Sequence, residues 1–135
     1  MILDISCVRD ILICLETHPF LNEELEYQYV DLPDLEQLLS SRNNDYPRSQ
    51  ITYTVSKLKE ANFIHVSIIK TETCIANFLI SSITFEGHQF LDTIRPDSVW
   101  EKIRAICEKT GLKSIATIMD IADILLPDTL KKALP

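Results

Sequence analysis

Apolar residues along the first third of the chain recur at helical intervals. In DISCVRDILICLETH, Ile5, Val8, Ile11, Leu12 and Leu15 fall on one stripe, Asp4 precedes them as a capping residue, and Pro19 lies just past the end, which predicts a first helix. After an acidic connector, LEYQYVDL alternates Leu25, Tyr27, Tyr29 and Asp31 with polar or smaller residues, a pattern that predicts a short strand. DLPDLEQLLSS then offers Asp31 as a cap, Pro33 in the first turn and Leu35, Leu38 and Leu39 as the face of a short second helix. RNNDYPR is a turn by composition. SQITYTVSKLKEAN repeats Ile51, Val55, Leu58 and Ala61 as a third helix ending at Asn62, a residue that tolerates the left-handed conformation. The β-branched and aromatic runs FIHVSIIK and ANFLISSITF, separated by TETCI, predict a hairpin.

The second half continues with helices. In ITFEGHQFLDTIRPDSVW, Thr84 can cap a fourth helix whose apolar side is Gly87, Phe90, Leu91 and Ile94, with Glu86 in the first turn and Gly87 allowing close approach to a neighbour. His88, Asp92 and Arg95 then share the outer surface, where Asp92 and Arg95 are spaced for an ion pair. The same side chains suit an acid, a base and an anion clamp, but no Ser, Cys or second His stands at a spacing that completes a nucleophile set, so the chain is not expected to be an enzyme. Ser98 to Glu101 match the S-x-x-E box of a fifth helix with Val99, Trp100, Ile103, Ile106 and Cys107 on its face and Gly111 after it. A sixth helix begins at Ser114 and is expected to stop at Pro127. Its surplus of apolar residues makes Ile115, Ile118, Ile121 and Leu125 a candidate oligomer interface and predicts a homodimer.

Composition narrows the class. With 135 residues, 46% of them hydrophobic and only two glycines, the chain suits one α+β, mostly α, compact unit. No apolar run reaches the roughly 20 residues that cross a bilayer. Asp4 interrupts the start of the chain where a secretion signal needs an apolar core, so a cytoplasmic protein without a membrane partner is expected. Cys7, Cys14, Cys74 and Cys107 form no paired motif, which predicts buried reduced thiols, no metal site and no cofactor. The net charge of −7 is uneven: residues 1–41 hold nine acids and one base, whereas residues 42–70 hold two acids and five bases. A nucleic-acid grip requires local positive charge, and only that middle stretch supplies it.

The order helix, strand, helix, turn, helix, hairpin is that of a winged helix-turn-helix domain, placed at residues 1–96, with residues 97–135 as a helical extension packed on it. Two stretches carry a family resemblance. Tyr53 to Ile64, YTVSKLKEANFI, follows a pattern like Y-H-L-K-L-L-x-E-A-G-L-I, and Ile83 to Trp100 follows one like L-T-W-E-G-H-E-F-L-D-x-I-R-x-D-x-V-W. On these the chain resembles the phage- and mobile-element-associated family called domain of unknown function 2513, from helix one to the start of helix six. The resemblance implies a winged-helix fold and a phage or prophage setting. It departs from the pattern where His becomes Thr54 and Gly becomes Asn62, and in a longer second-helix stretch; the first departure counts against a shared paired-histidine site.

Two functions are carried forward. In a winged helix the third helix enters the major groove while the hairpin reaches over the backbone. Candidate DNA contacts are therefore Arg42, Arg48, Ser49, Thr52, Tyr53, Ser56, Lys57, Lys59 and Lys70, and a transcriptional regulator bound to double-stranded DNA is the leading expectation. The hairpin tip KTETC counts against it, since Lys70 stands beside Glu72 with no arginine. The alternative is a non-enzymatic protein-interaction winged helix, a phage-encoded modulator of a host protein complex, whose acid-rich Glu23 to Glu36 region meets a basic partner.

Overall fold

The computed structural model describes residues 1–134. The fold is α+β and mostly helical: among these residues it comprises α1 (Ile5–Glu16), α2 (Leu32–Ser40), α3 (Arg48–Glu60), the antiparallel strands β1 (Ile64–Lys70) and β2 (Ile75–Ile83), then α4 (Phe85–Ile94), α5 (Asp97–Thr110) and α6 (Ile115–Ala133). Among the described residues, no helix is long and apolar enough to cross a membrane.

The first three helices start and stop on local chemistry. The Asp4 carboxylate accepts from the Ser6 and Cys7 amides at 2.9 and 3.3 Å, satisfying donors that an α-helix leaves open. Asp31 and Asp34 form a reciprocal box at the start of α2, each side chain accepting from the other's amide, at 2.9 and 3.2 Å. After α3, Asn62 adopts φ 62°, and the chain turns directly into β1. Tyr46, from the preceding turn, is half-buried and donates to the Asp10 carboxylate at 2.5 Å.

The stretch predicted as a strand around Leu25–Asp31 forms no ladder. Val30 exchanges hydrogen bonds of 3.0 and 2.8 Å with Ile80, and a separate bridge joins Tyr27 to Leu21. Alternation does not separate two faces here: Leu25, Glu26, Tyr27, Gln28 and Tyr29 are all exposed, and Val30 is the residue that goes into the core. Leu25, at φ 63°, reverses the chain before a strand can extend.

The hairpin delivers the chain to α4 through one tight joint. Thr84 caps α4 by accepting from the Gly87 amide at 2.9 Å, and its hydroxyl donates to the Asn62 carbonyl at 2.7 Å. Gly87 lies against the Phe63 carbonyl, so the close approach expected of this glycine is made to the α3–β1 corner. The fifth helix starts at Asp97 with Pro96 before it, so Ser98 sits inside the first turn and the expected Ser98–Glu101 box is not made. Proline's fixed φ supplies the entry geometry, which leaves Ser98 no cap position. Val99, Trp100, Ile103 and Cys107 are buried as expected, whereas Ile106 is exposed. Gly111, at φ 75°, terminates the helix.

The sixth helix continues through Pro127 to Ala133. A proline removes one amide donor, here the partner of the Asp123 carbonyl, and Asp123 and Pro127 are both on the exposed side, where water can serve that carbonyl. One core cluster joins residues from α1 through α6, including Leu12, Leu35, Leu58, Phe78, Leu91, Ile103 and Ile118.

Candidate nucleic-acid interface

The geometry of α3 decides what the middle stretch can offer. Ile51, Thr54, Val55 and Leu58 face the core. Thr54, which stands where the family pattern has His, is fully buried, and its hydroxyl donates to the Gln50 carbonyl at 2.7 Å. Ser49, Thr52, Ser56 and Lys59 recur at intervals of three, four and three, and so share a stripe turned away from that core. Ser49 and Lys59 are exposed; Thr52 and Ser56 are half-buried.

Two of the expected cations are already engaged. The Arg48 Nε donates to both carboxylate oxygens of Glu36 at 2.9 and 3.0 Å, and its Nη2 lies 2.7 Å from Oε1. Lys57 pairs with Glu60 at 2.9 Å and lies 5.3 Å from the centre of the Tyr53 ring. Hydrogen bonding and charge from these glutamates push both basic groups further up. The Ser56 hydroxyl donates back to the Tyr53 carbonyl at 2.6 Å. Tyr53 and Lys57 also line a groove of about 580 Å³ with Ile2, Leu3, Lys113 and Ile115, so one flank of α3 is hemmed by the N-terminal segment and the α5–α6 junction. Arg42, Lys59 and Lys70 are exposed and make no ion pair among the described residues. Glu36 lies twelve residues before Arg48 and on another helix, a separation that no helical spacing in the sequence signals.

The remaining candidates fall elsewhere. Ile115, Ile118 and Ile121 are buried within their own chain and Leu125 is half-buried against the same core, so the surface expected to meet a second copy is used internally. The apolar side chains that α6 leaves outside are Met119, Ile124, Leu126 and Leu130. Surplus was legible in the sequence; which side of the helix it occupied was not.

Signature residues that resemble catalytic groups act as joints. Arg95 pairs with Asp92 at 2.8 Å and, across to α1, its Nε donates to Glu16 at 3.0 Å. Arg9, also on α1, donates to the Ile94 carbonyl at 3.1 Å and to the Arg95 carbonyl, pairs with Asp97 at 2.9 Å, and lies 5.4 Å from the centre of the Trp100 ring. It thus neutralises the carbonyl end of α4 and ties α5 to α1. Glu86 and His88 stand exposed on the outer side of α4.

Three thiols are buried and one is not. Burial pushes Cys7 up to about 12 and raises Cys14 and Cys107 as well. Cys74 is exposed in the hairpin turn, where it contacts the Thr71 hydroxyl at 3.0 Å, so the expectation of four buried cysteines fails there. Among the described residues no group of three or more His, Cys, Asp or Glu side chains is arranged to hold a metal ion.

Neither the curated proteins nor the solved structures include a match to the chain. A family model does match, over residues 2–113, which spans α1 through α5. With that extent of agreement the chain belongs to the family described as Hypothetical protein (DUF2513).

Proposed function

We propose that this chain is a winged-helix DNA-binding regulator of a phage or mobile element, gripping double-stranded DNA with α3 and the hairpin. The order α1, Val30 bridge, α2, α3, β1, β2 supports the winged-helix reading, because the Val30–Ile80 bridge supplies the short third strand beside the hairpin. The observation that carries the function is the stripe Ser49, Thr52, Ser56 and Lys59, three hydroxyls, of which that of Ser56 already donates within the helix and is left to accept, and one unpaired cation on the outer side of α3. Hydroxyls of this kind bond either base edges or phosphates, and the lysine neutralises a phosphate. Arg42 in the α2–α3 turn and Lys70 at the end of β1 add two more unpaired cations. Arg48 and Lys57 contribute little net charge, since Glu36 and Glu60 offset them.

Fluorescence anisotropy with a labelled mixed-sequence duplex at low salt tests this. Binding is expected, with Lys59→Ala and Lys70→Ala each weakening it and Lys57→Ala leaving it nearly unchanged. Absence of any binding at low salt, where an electrostatic grip is strongest, removes the proposal.

A further inference from the structure

The outer face of the sheet, and the loop that leads into it, leave large apolar side chains in water. Val30 and Ile80 pair and are both buried, so alternation turns Tyr29 and Leu79 to the opposite side. Across the hairpin Ser67 opposes Leu79 and Ile69 opposes Asn77, which puts Ile69 on the same outer face as Leu79. Tyr27 stacks on Tyr29 with ring centres 5.7 Å apart and planes 21° from parallel. Stacking does not hide the two rings: Tyr27 remains 65% exposed and Tyr29 48%. Beside Tyr29 runs a groove of about 440 Å³ whose lining includes Leu38, Asp34 and Gln37. Large apolar side chains left exposed on one side of a sheet are candidates for an interaction surface.

Charge selects the occupant. Glu23, Glu24 and Glu26 are exposed just before the tyrosine pair in the chain, Asp34 lines the groove, and no Lys or Arg occurs between Arg9 and Arg42. DNA phosphates are repelled by such a rim. A second copy docking through the same face would set its acids against these. A cationic side chain, by contrast, gains an outer ring face of the Tyr27–Tyr29 stack together with a carboxylate of the neighbouring glutamates. We propose that the Tyr27–Tyr29 face, with Leu79 and Ile69, docks a partner protein segment that alternates arginine or lysine with apolar residues. The residues involved are different from those of the DNA reading, so the two proposals stand or fall separately.

The test titrates isotope-labelled full-length protein with a synthetic peptide alternating Leu and Arg, using a Leu–Glu peptide and oligolysine as controls. Saturable binding of the Leu–Arg peptide is expected, with amide shifts concentrated at residues 25–31, 69 and 77–80. Replacing Tyr27 and Tyr29 together by Ala should weaken it at least about tenfold. The triple change Glu23→Gln, Glu24→Gln and Glu26→Gln should also weaken it and reduce its salt dependence. All five side chains are exposed, and the shift map of the unmodified protein requires no variant. Shifts centred elsewhere, oligolysine binding equally well, or concentration-dependent shifts at these residues without peptide would each overturn the proposal, the last in favour of a second copy.

Discussion

Gly87→Ala probes the joint on which the second half of the chain is mounted. A Cβ at this position would lie 2.1 Å from the Phe63 carbonyl oxygen and 2.7 Å from Ile83 Cγ2. Even a favourable carbon–oxygen contact needs about 3.3 Å, so α4 or the α3–β1 corner must move by about 1 Å. The obstructing oxygen is backbone and already accepts the Thr84 amide at 3.0 Å, while Thr84 bridges the Asn62 carbonyl and the Gly87 amide. Movement therefore strains buried hydrogen bonds worth about 1–3 kcal/mol when one is left unsatisfied. Overpacking adds about 1–3 kcal/mol, and the better helix propensity of Ala returns about 1 kcal/mol. The net expectation is a loss of about 1–5 kcal/mol, read as a lower urea midpoint with an unchanged denaturant slope. Gly111→Ala provides the contrast: its Cβ meets nothing within 4 Å, and only the strain of φ 75° opposes it, about 1–2 kcal/mol. Gly87→Ala with stability equal to or above that of the unmodified protein would refute the steric reasoning.

Arg9→Ala should cost about 2–4 kcal/mol, because it removes charged hydrogen bonds to the end of α4, the Asp97 pair and the Trp100 contact together; a loss below about 0.5 kcal/mol in urea unfolding would contradict its role as a joint. Thiol labelling of the folded protein should modify Cys74 rapidly and Cys7, Cys14 and Cys107 only on unfolding, with mass spectrometry of the labelled peptides as the check. Alkaline stability should fall. Burial raises Cys7 from an ordinary 9.0 to about 12, and burial with the Asp10 hydrogen bond raises Tyr46 above its ordinary 10.0. Such groups hold their protons more tightly when folded, so their contribution is complete below the unfolded value and is lost as pH rises through the folded one. Each titrating group should then take away about 1.4 kcal/mol per pH unit; urea midpoints that stay flat from about pH 9 to 11 would contradict this.

Much of the fold was legible because it was written in local chemistry. Asp4, Asp31, Thr84 and Ser114 cap helices where a short polar side chain precedes an apolar stripe, and Asn62 and Gly111 take the left-handed turns expected of them. Errors arose where two local signals competed. Alternation around Leu25 to Asp31 could not say which face was inward, since the pairing partner, Ile80, is fifty residues beyond Val30. Ser98 matched a cap pattern, but the helix enters two residues earlier, with Pro96 in the cap position. Pro127 signals a stop by its missing donor, but its exposed position in α6 lets water serve the freed carbonyl and the helix runs on.

The candidate interface was less legible, for electrostatic reasons. A sequence shows that residues 42–70 are basic, but not that Glu36 on α2 takes the fork of Arg48 or that Lys57 turns to Glu60. Arg9 looked like a lone base in an acidic stretch, and its partners lie 85 to 88 residues away. Periodicity finds the face of a helix; it does not assign the charges on that face to partners from other elements.

The most direct measurement of the proposed DNA grip is the salt dependence of duplex binding for the unmodified protein and for Glu36→Gln. Each neutralised phosphate contributes about −0.9 to the slope of log affinity against log salt, so Arg42, Lys59 and Lys70 predict about −2.7. Releasing Arg48 from Glu36 should steepen this to about −3.6 and raise affinity at low salt. An affinity indifferent to salt, or no binding by either protein, would contradict the assignment of α3 and the hairpin to DNA.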